Sequence, residues 1–162
     1  MSISLRMTRV PALAGALALV ALSLGAAGAS QAQGSKEAEQ AIKYRQAAYT
    51  VLYNNFGPLG AMASGKAPYD AKAFQLRADR VAFMATITPD VFPAVSKSGA
   101  PTKAKPELWD NQAEFTKLMK DLTDKTAALA VAAKSNNLDT IKPAFGAAAQ
   151  TCKACHDKYK AD

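Results

Sequence analysis

Cysteine and histidine, the side chains best able to hold a cofactor or a metal, occur in this chain only between positions 152 and 156. The sequence of 162 residues contains two cysteines and one histidine, namely Cys152, Cys155 and His156. Cys-x-x-Cys-His is the pattern to which haem c is covalently attached. On a helix, residues three apart share a face, so both thiols can reach the two vinyl groups of one porphyrin, and the imidazole that follows can be the proximal iron ligand. The motif therefore predicts one covalent haem c per chain.

Two other interpretations of the motif stay open at this point. A Cys-x-x-Cys pair can be a redox dithiol or a strained local disulfide, and a single histidine can be an ordinary structural residue. A thiol-disulfide oxidoreductase is expected to carry its cysteines near a βαβ pattern, which this sequence lacks. Thiol-disulfide exchange is retained as a third alternative, after the two functions discussed below.

The last segment of the chain has an apolar seam that includes both cysteines. Residues at intervals of three and four form this seam: Leu138, Ile141, Phe145, Ala148, Cys152, Cys155 and Tyr159. This period is that of one face of an α-helix, which we expect to begin at or be capped by Asp139. Because both cysteines lie on the core-facing side, a haem bonded to them is predicted to lie in the protein core near the C-terminal helix.

Three further helices are predicted upstream. Segments rich in alanine, leucine and lysine alternate with turn clusters, and no run of alternating β-branched residues indicates a strand. We expect helices over residues 35–64, 70–88 and 107–135, with Ser35 and Asp70 as N-caps, and a proline-rich connection over residues 89–106 that wraps the surface. The predicted fold class is all-α, an antiparallel four-helix bundle.

The first 32 residues are typical of a secretory signal peptide. Arg6 and Arg9 precede an apolar run from Val10 to Leu24, which is shorter than the roughly 20 residues that span a bilayer. We expect cleavage after Ala32, a periplasmic location, and a single mature domain over residues 33–162 without membrane insertion. The formal charge of +7 falls to +5 without the two arginines, and the scattered lysines do not indicate a nucleic-acid surface.

A charged residue interrupts the apolar seam predicted for the first helix. This seam comprises Ile42, Arg45, Tyr49, Leu52, Phe56 and Leu59. An arginine there either extends from the edge of the seam to water or pairs with a buried anion, for which a haem propionate is suited. Gln46 could share that contact. Lys103 and Lys105, in the long connection, are ordinary solvated lysines or further propionate contacts.

Four segments together resemble the cytochrome c′ family, the class II c-type cytochromes. The segments are residues 42–46 (Ile-Lys-Tyr-Arg-Gln), 65–70 (Gly-Lys-Ala-Pro-Tyr-Asp), 105–109 (Lys-Pro-Glu-Leu-Trp) and 152–157 (Cys-Lys-Ala-Cys-His-Asp). The resemblance covers essentially the whole mature chain. One departure is Lys160, at a position where an arginine often follows the haem-binding histidine by four residues.

The resemblance implies a role for each matching residue. Arg45 and Gln46 would contact a haem propionate, Tyr49 would line the distal face, and the cysteines and histidine of the motif would hold the macrocycle and the iron. The family also implies a homodimer packed through the first two helices, which agrees with a wide apolar face on the second helix.

The sequence offers few candidates for a sixth iron ligand. A second histidine does not exist, and Met62, Met84 and Met119, the methionines outside the signal segment, are expected to pack in the core. We therefore predict a five-coordinate high-spin haem with a vacant distal site walled by Tyr49 and Leu52. Such an apolar pocket admits NO and CO and excludes hydrated anions.

Two functions remain as the main alternatives. The first, which rests on the family resemblance, is a protein that binds NO or CO and handles or resists NO. The second is a soluble electron-transfer cytochrome with redox protein partners in respiration, denitrification or photosynthesis. Neither alternative needs a general acid-base pair, and we expect that the protein is not an enzyme.

Overall fold

The structure, a computed structural model, describes the backbone of residues 20–162 and the side chains of residues 34–162. The basic start of the predicted signal peptide and residues 10–19 of its apolar run lie outside the described residues, as do the side chains at the expected cleavage site. Among the helices described, none is both long and apolar enough to cross a membrane.

Four long helices and one short helix make up the described chain. They are α1 (Val20–Ala63), α2 (Ala71–Ile87), the short α3 (Glu107–Asp110), α4 (Gln112–Ala133) and α5 (Leu138–Tyr159). Two 3₁₀ turns, Thr88–Val91 and Ala94–Lys97, lie in the connection between α2 and α3. No strand occurs between residues 20 and 162, where an isolated bridge joins Ala104 to Lys160. The predicted all-α class is confirmed.

Helices α2 and α5 begin at residues whose side chains cap them, whereas α3 and α4 have no side-chain cap hydrogen bond. The Asp70 carboxylate accepts a hydrogen bond from the Ala73 backbone nitrogen at 3.0 Å, as expected of an N-cap. At α5 the cap is Asn137, whose side-chain oxygen accepts from the Asp139 nitrogen at 2.8 Å, so Asp139 lies in the first turn. The prediction of Ser35 as a cap is wrong for the full-length chain, because the alanine-rich sequence before it continues the helix upstream to Val20.

The predicted third helix is divided in two at Asn111. The backbone of Asn111 leaves the helical region, with φ −117° and ψ 50°, between α3 and α4. Its side chain donates to the Glu107 oxygen at 2.8 Å, and the Trp109 indole nitrogen donates to the Phe92 oxygen at 3.1 Å. A short amide side chain that bonds the nearby backbone competes with helical hydrogen bonding, so the break is a local effect.

Within residues 35–162 the four long helices form an antiparallel bundle in which each helix contacts at least two others. Phe56 of α1 stacks on Phe145 of α5 with ring centroids 4.8 Å apart. The remaining neighbours are joined by hydrogen bonds: Arg77 of α2 donates to the Asn54 oxygen of α1 at 3.0 Å, Thr123 of α4 to the Ala85 oxygen of α2 at 3.2 Å, and Tyr159 of α5 to the Glu114 carboxylate of α4 at 2.6 Å. The predicted four-helix bundle is confirmed.

The buried side chains form two clusters. The larger, which we call the bundle core, fills the end of the bundle where α1 ends and α5 begins: Leu59, Met62, Ala63, Phe74, Ala78, Val81, Leu129, Ala130, Ala133, Ile141 and Ala148. The smaller, which we call the site cluster, comprises Leu108, Phe115, Met119 and Tyr159, with Phe92, Trp109, Leu118 and Cys155 packed against it. The site cluster lies at the end of α5 that carries the Cys-x-x-Cys-His motif.

Gly60 permits the close approach of α1 to α5. A Cβ atom at this position would lie 2.9 Å from Cζ of Phe145, whereas at Gly57, in the same helix, the nearest such atom would be Cζ of Tyr53 at 3.9 Å. Because Phe145 is stacked on Phe56, its ring cannot withdraw without loss of that contact.

We predict that Gly60→Ala lowers the free energy of unfolding and that Gly57→Ala does not. A core overpacked by one methyl group loses about 1–3 kcal/mol, whereas alanine for glycine at an open helical position gains about 0.5–1 kcal/mol. Urea unfolding of the two variants measures the difference. Equal stability of both variants would show that α1 and α5 are not in close contact at Gly60.

Candidate haem site

Helix α5 brings both thiols of the motif to the edge of the site cluster. Cys152 and Cys155 are half-buried free thiols, and Cys155 packs against the cluster. Burial is the main cause that raises the pKa of both thiols, that of Cys155 to about 11. A redox-active dithiol requires a thiolate near neutral pH, so this environment disfavours thiol-disulfide exchange.

His156 follows the thiols on the more exposed side of α5. Partial burial is the first cause that lowers the pKa of its imidazole, Lys160 adds to the effect, and Asp157 opposes it. The neutral imidazole that results is the form that binds a metal. The backbone oxygen of His156 accepts a hydrogen bond from the Lys160 nitrogen at 3.1 Å, so the histidine lies in the last complete turn of the helix.

Tyr49 of α1 lies opposite the motif. Its hydroxyl donates to Sδ of Met119 at 4.0 Å, and its ring is edge-on to Phe92 with centroids 6.0 Å apart. Burial raises the pKa of Tyr49 well above its ordinary value, and the negative charge that Cys155 and Cys152 can carry raises it further. The phenol is therefore neutral across the physiological range, which disfavours a phenolate ligand.

These residues fit a covalently attached haem. Two free thiols three residues apart, followed by a neutral imidazole, are the donor set that this group requires. Tyr49 interacts electrostatically with both thiols, so α1 and α5 face the same space. The aromatic and aliphatic side chains of the site cluster supply the apolar lining that a porphyrin needs.

The guanidinium of Arg45 is buried between α1 and the long connection. Only 4% of this residue is exposed, so the interpretation in which it extends to water is wrong. Nη1 donates to Oγ of Ser96 at 2.6 Å and Nη2 to Oγ1 of Thr102 at 2.9 Å, with further bonds to the backbone oxygens of Val91 and Ser96. Carbon Cζ lies 5.0 Å from the ring centroid of Phe92. Arg45 thus fixes the connection that covers the site.

Gln46 supports the same connection. Its Nε2 donates to the Pro101 oxygen at 3.0 Å. Arg45 and Gln46, which the sequence grouped as a propionate site, both contact this connection; sequence reasoning missed the partners of the arginine, because Ser96 and Thr102 lie in a segment without a periodic pattern. The expected contact of Arg45 and Gln46 with a propionate stays a prediction.

The end of α5 is clasped by the connection as well. The Lys105 nitrogen donates to the Tyr159 oxygen at 2.9 Å, and the Ala161 nitrogen donates to the Lys103 oxygen at 2.8 Å. These bonds place the backbone of both lysines beside the last turn of α5; the side chain of Lys103 is exposed and that of Lys105 is half-buried. Their contact with a propionate also stays a prediction.

A side-chain network holds α5 to α4 just beyond His156. The Tyr159 hydroxyl donates to the Glu114 carboxylate, which also pairs with Lys158. Donation to Glu114 is the main cause that raises the pKa of Tyr159 to about 12. Only Tyr159 gave a signal in the sequence, through its place on the apolar seam; Glu114 and Lys158 gave none.

The methionines differ in their surroundings. Met62 is buried in the bundle core, as predicted. Met84 is only half-buried and borders a surface groove between α1 and α2, so its predicted core position is wrong. The apolar face of α2 is wider than the bundle core covers, and Met84 lies at the edge of that face. Met119 is buried in the site cluster with its sulfur turned to Tyr49, a pairing that the sequence did not indicate.

Comparison with known proteins agrees with this geometry. A sequence model of the family described as Cytochrome C' matches residues 40–160. The chain belongs to the cytochrome c′ family. This confirms the resemblance drawn from the four sequence segments, and membership of the family implies c-type haem.

The matches to individual relatives cover nearly the whole length of each relative. Cytochrome c′ of Rubrivivax gelatinosus is 40% identical over 127 residues, which cover 74% of this chain and 93% of the relative. The structure of cytochrome c prime from Shewanella frigidimarina is 45% identical, with a TM-score of 0.74, and the match covers 77% of this chain and 97% of the other.

Several similar structures of cytochrome c prime from Alcaligenes xylosoxidans contain ligands, among them the following two. One is a ferrous variant with bound NO, 32% identical to this chain, and the match covers 77% of this chain and 96% of the other. The second is a variant with bound carbon monoxide, 31% identical, and the match covers 77% and 97%. Both have a TM-score of 0.70 to this chain.

We predict that Arg45→Lys lowers the free energy of unfolding by about 1–3 kcal/mol, because one ammonium group cannot serve all the acceptors of the planar guanidinium and leaves buried oxygens unpaired. Lys125→Arg, the reverse exchange at an exposed position of α4, is the matched control and should change stability by less than about 0.5 kcal/mol. Urea unfolding checks both variants. A value for Arg45→Lys as small as that of the control would contradict the anchoring role.

Proposed function

We propose that the mature chain is a periplasmic cytochrome c′ with one covalently attached haem, whose five-coordinate iron binds small neutral ligands such as NO and CO. The observation that carries the proposal is the asymmetry of the site. His156 stands on one side of the motif, and the side chain opposite is a half-buried, neutral phenol. Export and cleavage after Ala32 are part of the proposal.

The attachment would use the three residues of the motif. Cys152 and Cys155 would form the thioether bonds, and His156 would bind the iron as the proximal ligand. When bound, the haem supplies an iron whose sixth coordination position can take a neutral diatomic molecule. The clasp between residues 103–105 and 159–161, together with the Tyr159–Glu114 hydrogen bond, holds the histidine-bearing end of α5 in place.

The distal side would be formed by α1. Tyr49 and the buried Leu52 present a ring and a branched aliphatic side chain, and Met119 and Phe92 hold the tyrosine ring by its hydroxyl and its edge. A hydrated anion that entered would lose its water without a compensating hydrogen bond, whereas NO and CO lose almost none. The tyrosine ring must move aside for a ligand to enter, so it sets the entry rate.

The homologous structures with bound NO and CO support ligand binding, and from them we infer a role in NO handling or resistance. The rival function is electron transfer with protein redox partners. An electron carrier gains from an iron saturated by protein ligands, which reorganises little, and among the described residues Met119 is turned to Tyr49 rather than left free for coordination. We propose no enzymatic reaction for the site.

We predict that the isolated ferrous protein shows a five-coordinate high-spin spectrum and that Tyr49→Ala accelerates CO association. Removal of the ring should raise the association rate about tenfold, which corresponds to about 1.4 kcal/mol in the entry barrier. Resonance Raman spectra and flash photolysis measure the two quantities. Tyr53→Ala, at a position 71% exposed on the same helix, is the control and should leave the rate unchanged.

A six-coordinate low-spin ferrous spectrum of the wild-type protein would contradict the proposal and favour electron transfer. The pyridine haemochrome spectrum of the purified chain completes the experiment. One covalent haem per chain is expected, and its absence would favour the alternative interpretation of the motif as a redox dithiol.

We also propose that two copies of the chain associate through α1 and α2. A groove of about 430 Å³ between these helices is bordered by Val51, Leu76, Phe83 and Met84, with Asp79 and Arg80 beside them. Leu76 and Phe83 are 52% and 66% exposed, so a large part of their apolar surface is in contact with water when the chain is alone. Apolar side chains grouped in this way are typical of a protein–protein contact, and adjacent opposite charges suit a two-fold arrangement.

We predict that Phe83→Lys converts the dimer into monomers, because a lysine on each side of a two-fold contact brings two like charges into an apolar interface. Val131→Lys, at an exposed position of α4, is the matched control and should leave the dimer intact. Sedimentation velocity measures the mass. A monomeric wild-type protein, or dissociation by the control alone, would exclude this interface.

A further inference from the structure

A second groove lies between the 3₁₀ turn Thr88–Val91 and α4. It encloses about 350 Å³ and is lined by Pro89, Gln112, Phe115, Thr116, Met119, Lys120, Thr123 and Asp124. The α4 residues among these recur at helical intervals of three and four, so the groove follows one face of that helix. No function discussed above uses this groove.

The floor of the groove is apolar and buried. Phe115 and Met119 are 5% and 3% exposed. The sulfur of Met119 is the atom that accepts the Tyr49 hydroxyl, and the Phe115 ring is edge-on to Phe92 with centroids 5.0 Å apart. A single layer of side chains therefore separates the groove from the ring that we place on the distal side of the iron.

Met119 is well suited to be the movable part of that layer. Its side chain is unbranched and has three rotatable bonds, and a thioether accepts a hydrogen bond only weakly. Its hydrogen bond with the Tyr49 hydroxyl spans 4.0 Å, so no strong polar contact of the sulfur opposes a change of rotamer. By contrast, Thr123 on the next turn is fixed by donation to the backbone oxygens of Ala85 and Met119.

The rim of the groove has no net charge. Lys120 and Asp124 pair with each other at 2.6 Å, and Gln112 and Thr116 are neutral. An unpaired lysine would attract anions to the opening, but a closed ion pair does not. The rim and floor together favour a small neutral apolar molecule over a hydrated ion.

We infer that the groove between Pro89 and α4 is the entry route for diatomic ligands to the distal side, with Met119 as its gate. The inference rests on the proposed function. Rotation of the Met119 side chain opens the floor and at the same time removes one hydrogen-bond partner of the Tyr49 hydroxyl, the other being the side chain of Thr88, so the two obstacles to entry are coupled. Thr116 and Pro89 border the opening.

The experiment fills the groove from its rim and leaves Tyr49 in place. Thr116 is exposed on α4, and Thr116→Trp places an indole over the opening without a change in the core. Because an obstacle in the route raises the barrier for entry and exit equally, flash photolysis should show CO association and dissociation both slowed about tenfold, with an unchanged Kd. Ala128→Trp, at an exposed position of α4 outside the groove, is the matched control.

Two further measurements separate a gate from a merely structural role. Met119→Ala should accelerate both rates by a similar factor, whereas Met119→Leu, which keeps the volume, should change them far less. In crystals of the wild-type protein under xenon pressure, a readout independent of CO binding, xenon should lie against Phe115 and Met119.

Failure of the route and failure of the function are distinguishable. If the wild-type protein binds CO and Thr116→Trp leaves both rates unchanged, or if xenon marks another path to Tyr49, the entry route is wrong and the proposed function stands. If Thr116→Trp changes only one of the two rates, and therefore also changes the Kd for CO, the groove acts on the bound state and is not a route. A six-coordinate ferrous spectrum of the wild-type protein would overturn both.

Discussion

The buried guanidinium of Arg45 is the contact on which the geometry of the site depends. It joins α1 to a connection that has little regular structure of its own, through hydrogen bonds to Ser96 and Thr102 and a ring contact with Phe92. Since a buried cation is costly unless its donors are satisfied, the connection has one favourable position relative to α1. The position of the connection fixes the position of the Phe92 ring, which in turn contacts Tyr49 and Phe115.

The motif end of α5 depends on the same connection at a second place. Residues 103–105 pair with residues 159–161 by backbone hydrogen bonds, and Tyr159 is held by Glu114 of α4. The segment that carries Arg45's partners thus also limits the movement of the helix turn that contains His156. A long connection without helices is commonly the mobile part of a bundle, but here it links the two sides of the site.

The structure also explains how a helical bundle keeps an accessible distal side. The bundle core is fully packed at the far end, where α1 approaches α5 closely at Gly60. At the motif end the buried cluster is smaller, and it is lined by aromatic rings together with Leu108, Leu118 and Met119. Stability is therefore concentrated away from the site, and Tyr49 and Met119 can move without disturbing the packing that holds the bundle together.

The sequence by itself determined the helical class, the four main helices, the position of Cys152 and Cys155 on an inward face, and the family, because these follow from periodicity and from a motif within one segment. It did not determine the break at Asn111, the upstream extension of α1, the acceptors of Arg45 or the pairing of Tyr49 with Met119. Except for the first two, which are local, these are contacts between residues about 50 to 70 positions apart. Only tertiary packing decides such contacts, because no local pattern records which side chain meets another across a bundle.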